Sequence, residues 1–301
     1  MRRYTAEGAL VLAALLFGVT FPLVHDALED VTPFAYLLVR FAVALVALVP
    51  FAAVIARSAG VDRRLLVRVG AVAGVLLFGG YALQTVGLQY TSPSTSAFIT
   101  GLYVVITPIV ESLVRRHAPP AVVWIGIVVA TVGLLLLTGA DVGFGEGEWY
   151  TLGCAALFAV WIVYQGGYAN RLHPIPFSAM QIAVVVVLCM PPAAAQGSGD
   201  FTALALFAAV FTGLACSSIA LSLQLYGQKR IAPSRAALIL LSEPVFAAVA
   251  GYINGERLDA VQLLGAAVIL AGIAVAELGP GRATTELEHD DAEADLEAHL
   301  R

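Results

Sequence analysis

The chain has 301 residues, of which 60% are hydrophobic and only 12% are charged, whereas soluble domains carry about 25% charged residues. A soluble domain this apolar would expose large hydrophobic patches and aggregate, which argues against that class. The formal net charge of −5 lies in residues 279–301, which hold seven acidic and two basic residues. The neutral remainder offers no compact basic face, so we expect no nucleic-acid partner.

Apolar segments of about 20 residues, the length that crosses a bilayer as a helix, recur along the whole chain. No small-residue cleavage site follows the first one, so we interpret it as a retained helix rather than a signal peptide. Turn and helix-breaking residues separate the segments. The ten predicted spans are residues 8–24, 34–56, 66–89, 94–115, 120–139, 149–168, 177–195, 201–227, 234–253 and 260–278.

Lysine and arginine fall almost entirely on one side of these spans. With the N-terminus inside, fourteen of the sixteen basic residues lie in inside segments, Arg257 lies outside and Arg40 lies within a helix. Because basic loops stay cytoplasmic, we predict a multi-pass protein of the cell membrane with both termini in the cytoplasm. Residues 279–301 then form an acidic cytoplasmic tail, which we predict to be disordered.

The second half of the chain repeats the first at a nearly constant offset, which indicates an internal repeat. Each repeat holds five spans, an odd number, so the second copy enters the membrane from the opposite side. We therefore predict an all-α integral membrane protein of ten transmembrane helices, with inverted repeats at residues 8–139 and 149–278. The matching positions include Phe17 with Phe158, Pro33 with Pro174 and Arg40 with Gln181 at an offset of 141, and Gln84 with Gln224 and Pro93 with Pro233 at 140.

Several of these residues also carry a family resemblance. The second half contains Ala232-Pro233-Ser234, then Glu243-Pro244, Gly255-Glu256-Arg257 and Leu264-Gly265, and the first half contains Phe17-Gly18, Pro33, Arg40-Phe41, Ser92-Pro93-Ser94 and Pro108. In order and spacing they resemble the two EamA-type repeats of the drug/metabolite transporter superfamily, over residues 8–278. The resemblance implies a central cavity between the halves and secondary transport, often the export of amino acids or other metabolites.

Two charged residues are predicted at membrane depth, where charges are costly and indicate function. Glu243 lies ten residues past Pro233, about 15 Å along its helix, and Pro244 favours a kink there. Arg40 lies seven residues past Pro33, about 10 Å into its helix. We hypothesise a charge pair or a joint grip on a carboxylate substrate, although Arg40 could instead only tie helix ends. Glu111 is interpreted as a salt bridge with Arg115 at i, i+4 spacing.

Uncharged polar and aromatic residues at membrane depth form a second group of candidates. Such side chains line a cavity and orient a substrate, or make only interhelical hydrogen bonds. For the group as a whole we expect a polar cavity, with roles in substrate binding or coupling. Its members are Gln84, Gln224, Tyr81, Tyr103, Trp161, Tyr164, Gln165 and Ser242.

The sequence predicts no metal, no cofactor and no catalytic residue. The three cysteines lie in apolar runs and are predicted to be small buried residues. Metal-ligand spacings and the GxxxxGK[ST] phosphate loop are absent, so ATP is not predicted as the direct energy source. Glycines such as Gly126, Gly133, Gly265 and Gly272 are assigned to close helix packing.

We therefore predict a secondary transporter that exports small metabolites, such as amino acids or drugs, by alternating access at a cavity between the repeats. Its expected partners are a small-molecule substrate and the lipid bilayer, with proton coupling left open. The alternatives are an uptake permease of the same fold, a membrane enzyme and a lipid-handling protein. An intramembrane enzyme is disfavoured, because the histidines fall in loops or the tail and Asp-rich metal motifs are missing.

Overall fold

A computed structural model of the chain describes residues 2–18, 20–58, 60–139, 145–253 and 257–278. The predicted tail at residues 279–301 and the Gly255-Glu256 pair lie outside these ranges. In the described residues every regular element is a helix. The helices are α1 Arg2–Gly18, α2 Phe21–Ala27, α3 Pro33–Ser58, α4 Arg63–Gly87, α5 Pro93–Gly101, α6 Tyr103–Arg115, α7 Ala121–Thr138, α8 Glu146–Gly166, α9 Pro174–Gln196, α10 Ala203–Thr212, a π-helical segment Gly213–Ala220, α11 Leu221–Gln228, α12 Pro233–Leu240, α13 Glu243–Ile253 and α14 Ala260–Leu278.

The predicted spans match these helices. Nine helical stretches in the described ranges are long and apolar enough to cross a bilayer, and the shorter apolar helix Tyr4–Gly18 accounts for the first span. Four helices begin at a proline, a residue that suits the first helical turn because its missing N–H needs no partner there. The chain is therefore a multi-pass, all-helical membrane protein.

Three predicted spans are broken in the described residues, and the eighth contains the π-helical segment Gly213–Ala220. The first span divides into α1 and α2 around Thr20, and the fourth divides after Gly101. The ninth divides between Leu240 and Glu243, where Pro244 has no N–H to offer the carbonyl of Leu240 four residues earlier. At the 140-residue offset Leu102 matches Ser242, so the fourth and ninth spans break at equivalent positions.

Equivalent helices of the two repeats form the two most extensive helix–helix contacts, α7 with α14 and α3 with α9. A side chain on Gly126 would meet the backbone of Gly272, and one on Gly133 would meet the backbone of Gly265. Small residues let the two helix backbones approach this closely, as the glycine pattern predicts. The pseudo-twofold axis that relates the inverted repeats therefore passes between α7 and α14 and between α3 and α9.

The two sides of the molecule are distinguished by the ends of its first and last helices. An even number of crossings places the start of α1 at Arg2 and the end of α14 at Leu278 on the same side, which we call the terminal face. The other side is the opposite face. The helices α3 and α5 begin at the opposite face, and their counterparts α9 and α12 begin at the terminal face.

Candidate functional site

A cavity of about 80 Å³ lies between the two repeats at the level of the helix breaks. One buried water needs roughly 10–15 Å³ on this measure, so the space suits a small solute. The lining residues are Phe17, Thr20, Val24, Arg40, Tyr81, Gln84, Thr85, Leu88, Thr100, Tyr103, Phe158, Trp161, Ile162, Leu221, Gln224, Leu240 and Glu243. The cavity is thus built from both halves of the chain.

The lining follows the internal symmetry. Twelve of the seventeen lining residues form six pairs at the repeat offsets, which places the cavity on the pseudo-twofold axis. Most pairs combine side chains of different chemistry, and only one of them includes a charge. The pairs are Phe17 with Phe158, Thr20 with Trp161, Tyr81 with Leu221, Gln84 with Gln224, Thr100 with Leu240, and Tyr103 with Glu243.

Glu243 is the first residue of α13, directly after the break in the ninth span. A carboxylate at a helix N-terminus faces the positive end of the helix dipole, which stabilises its charge. The backbone of α1 packs closely beside it, because a side chain on Gly18 would meet the carbonyl oxygen of Glu243. The carboxylate makes no hydrogen bond to another described residue. It lines the cavity as an acidic group at the seam between the repeats.

Arg40 is 5% exposed and occupies the same cavity. Its Nε donates to Ser217 Oγ at 2.9 Å, and its Nη2 lies 3.4 Å from Tyr81 Oη. The guanidinium carbon also lies 4.8 Å from the centre of the Tyr81 ring, which adds a cation–π contact. These contacts fix the guanidinium group at the wall of the cavity.

Among the described residues, no salt bridge within 4.0 Å joins Arg40 to Glu243. Of the two hypotheses from the sequence, the direct charge pair is not formed. The two groups instead lie on the same cavity with opposite charges, an arrangement compatible with a joint grip on one solute. The equivalent of Arg40, Gln181, is not on the cavity and accepts a 2.7 Å hydrogen bond from Trp161 Nε1.

Ser217, the anchor of Arg40, was not singled out from the sequence. It lies in the π-helical segment, whose Gly213 approaches the carbonyl oxygen of Arg40 so closely that a side chain there would collide. Ser218 in the same segment donates to the carbonyl oxygens of Gly213 and Ala44. π-Helical turns are frequent at functional sites. The sequence signal for this anchor was the adjacent pair Ser217 and Ser218 within the eighth span.

Seven of the ten predicted site residues line the cavity, and three do not. Tyr164, Gln165 and Ser242 do not line this cavity, and a role for them in binding or coupling stays a prediction. Ser242 Oγ donates to the carbonyl of Ile239 in its own span, and the ring of Tyr164 packs against Tyr168. Gln165 lies one helical turn past Trp161 and bonds to Gln228 instead. Hydropathy gives the depth of these residues, but the packing of neighbouring helices decides which way they face.

Gln224 and Gln84 occupy equivalent cavity positions with different surroundings. Gln84 Nε2 lies 3.5 Å from Thr100 Oγ1. Gln224 is 2% exposed, and its Nε2 has no hydrogen-bond partner among the described residues. A buried donor without an acceptor is costly, so Gln224 offers a free N–H to any solute in the cavity.

Glu111 makes the predicted pair with Arg115, with 3.4 Å between Oε1 and Nε. The structure adds a second role. Glu111 Oε2 accepts from the backbone N–H of Ser234 at 2.9 Å and also from the Ser234 hydroxyl. The carboxylate therefore caps the N-terminus of α12, where a negative charge is favourable.

Comparison with known proteins agrees with the architecture. The sequence profile of the EamA-like transporter family matches residues 5–139 and again residues 145–277. The chain belongs to the EamA-like transporter family. The transporter thus contains the family unit twice, and the family places it in the drug/metabolite transporter superfamily.

Two relatives extend this result. An uncharacterized transporter of Archaeoglobus fulgidus is 32% identical over 280 residues, which cover 92% of this chain and 87% of that protein. A crystal structure described only as that of a protein superimposes with a TM-score of 0.78 at 20% identity, covering 92% of this chain and 97% of the other. The second similarity concerns the fold alone.

Proposed function

We propose that this transporter is a secondary exporter of small metabolites such as amino acids or drugs, working by alternating access at the cavity between its repeats. The observation that carries the proposal is the position of the cavity on the pseudo-twofold axis, lined by Arg40 and Glu243. Inverted repeats around a central site are the usual structural basis of alternating access.

The lining favours a solute that combines an acidic group with a modest apolar part. Arg40 and the free Nε2 of Gln224 supply donors for a carboxylate. Phe17, Phe158 and Trp161 supply apolar surface beside them. Glu243 then binds a cationic group of the solute or carries the coupling proton, and these two roles predict different responses to a pH gradient.

The proposed orientation places the terminal face in the cytoplasm of the cell. The helix ends and connections on that face carry Arg57, Arg63, Arg64, Arg116 and Arg230, all exposed. Basic segments are retained on the cytoplasmic side during insertion. With this orientation, export carries the solute from the terminal face to the opposite face.

The test is a competition screen in proteoliposomes with labelled amino acids and common drugs, with and without a pH gradient. We expect saturable transport of at least one carboxylate-bearing solute, and stimulation by the gradient if Glu243 carries a proton. Liposomes without protein give the background.

Vesicles of defined orientation then give the direction of transport. Uptake into vesicles whose terminal face lies outside corresponds to export from the cell. Flux only in the reverse direction would replace the exporter with an uptake permease, and no saturable flux for any class of solute would contradict the proposal.

A further inference from the structure

The cavity extends unequally toward the two faces. Four lining residues of the first repeat have counterparts that are described but do not line the cavity: Val24, Arg40, Thr85 and Leu88. Val24, Thr85 and Leu88 lie near the ends of α2 and α4 at the opposite face, and Arg40 lies about two helical turns into α3 from that face. The cavity therefore continues toward the opposite face along residues whose counterparts near the terminal face do not line it.

Those counterparts are packed against one another. Val24 corresponds to Gln165 and Leu88 to Gln228, and both glutamines are fully buried at 0% exposure. Gln165 Nε2 donates to Gln228 Oε1 at 2.7 Å, and Gln228 Nε2 donates to the carbonyl oxygen of Ile162 at 3.0 Å. The two hydrogen bonds join α8 to α11 one helical turn past Trp161, about 6 Å nearer the terminal face. They lie between the cavity and that face.

Close backbone packing supports this junction. Gly166 follows Gln165, and a side chain there would come within 3.0 Å of Pro233 Cγ and 3.3 Å of Gln228 Nε2. The start of α12 is also held on this side by Glu111, which accepts from the backbone and hydroxyl of Ser234. Ser94, the counterpart of Ser234 at the opposite face, is exposed. Two separate sets of hydrogen bonds thus join helices between the cavity and the terminal face.

The glutamine contact is not saturated. The Oε1 of Gln165 is buried and has no hydrogen-bond partner among the described residues. An unpaired buried acceptor is unfavourable, so the closed junction retains a cost that opening to water would remove. A contact that opens and closes must not be too stable, and this residual cost lowers the stability of the closed junction.

We propose that the Gln165–Gln228 contact is the gate at the terminal face, and that Val24 and Leu88 form the matching gate at the opposite face. The proposal rests on the alternating access put forward above. When the repeats exchange conformations, α8 and α11 separate at the two glutamines, and α2 and α4 approach each other at Val24 and Leu88. The terminal-face gate is polar and the opposite-face gate is apolar.

The test measures access to the cavity rather than flux. A reporter Leu221→Cys is introduced into the full chain, and a membrane-impermeant maleimide is added from one side of oriented vesicles. Labelling of the native cysteines Cys154, Cys189 and Cys216, all buried, is measured without the reporter and subtracted. Because labelling requires neither a substrate nor a gradient, its result is independent of whether the transporter exports amino acids, drugs or another solute.

Gln165→Leu and Gln228→Leu should each raise the labelling rate from the terminal face by about threefold or more, the shift that an average interhelical hydrogen bond in a membrane corresponds to. The rate from the opposite face should not rise, which separates gate opening from general loosening of the fold. The double variant should resemble Gln228→Leu, which removes both hydrogen bonds, whereas Gln165→Leu leaves the bond from Gln228 to the Ile162 carbonyl in place. Gln196→Leu, at an exposed glutamine near the end of α9, is the matched control.

A second variant tests the symmetry. Val24→Gln combined with Leu88→Gln places the polar pair at the opposite face, and should lower labelling from that face by a similar factor. Unchanged terminal-face labelling in both leucine variants would overturn the terminal gate. Unchanged opposite-face labelling in the glutamine pair would overturn the matching gate at Val24 and Leu88.

Discussion

Tyr103 and Glu243 each stand at the first residue after a helix break, at equivalent positions of the two repeats, and both line the cavity. Only the second repeat places an acid there. The reverse holds for Arg40, whose equivalent Gln181 does not line the cavity and accepts a hydrogen bond from Trp161. Each repeat therefore supplies one charge of opposite sign to a shared cavity. The two repeats therefore share one backbone arrangement, whereas the charged groups on the cavity are divided between them.

The strongest test of this comparison substitutes, one at a time, the two residues that follow the helix breaks. Glu243→Gln should abolish transport or uncouple it from a proton gradient while leaving membrane insertion intact, because the acidic group at the seam is lost. Tyr103→Phe removes only a hydroxyl and should reduce the rate by a few-fold at most. Proteoliposome flux at several pH values measures both. Normal flux with unchanged pH dependence in Glu243→Gln would contradict a role for the carboxylate.

The second test concerns Arg40, the positive charge that the first repeat supplies to the cavity. Arg40→Ala should weaken the apparent affinity for a carboxylate substrate by about 10–100-fold, because hydrogen bonds to charged groups contribute about 1.5–3 kcal/mol. Gln181→Ala, at the equivalent position off the cavity, should change it far less. Arg40→Lys should restore only part of the affinity, since lysine lacks the planar fork that reaches Ser217 and Tyr81 together. Equal effects of the arginine and glutamine variants would remove the proposed asymmetry.

The third test uses the glutamine pair. Gln224→Leu should lower substrate affinity by about 2–10-fold, the loss of a single neutral hydrogen bond. Gln84→Leu should have a smaller effect, because the Gln84 amide already lies near Thr100. Competition binding against one identified substrate compares the two. A larger loss for Gln84→Leu would show that the free N–H of Gln224 does not meet the substrate.

The smallest expected effect concerns stability at the two faces. Glu111→Gln should lower the thermal unfolding temperature in detergent by a few degrees, because it weakens the cap of α12 and the pair with Arg115. Ser94→Ala should leave that temperature unchanged, since Ser94 is exposed at the opposite face. A comparable loss from both variants would indicate that the two faces are equally closed.

Much of the fold was predictable because the bilayer acts on sequence directly. A span must be apolar over about 20 residues, and the matching prolines and glutamines repeat at offsets of 140 and 141. Glu243 and Arg40 could be selected for the same reason, since a charge at membrane depth is costly enough to need a purpose. The glycines of α7 and α14 were assigned correctly to packing, because their spacing on one helix face is a local property.

The sequence by itself determined the apolar spans and their pairing as two inverted repeats, because hydropathy and repeat spacing can be read along the chain. Only the tertiary structure decided which residues face the cavity and which close it. Arg40 is fixed by Ser217, and Gln165 is turned to Gln228, through contacts between residues far apart in the chain. The inequality of the two faces was equally hidden, since the same repeated sequence pattern serves a closed junction on one side and a cavity on the other.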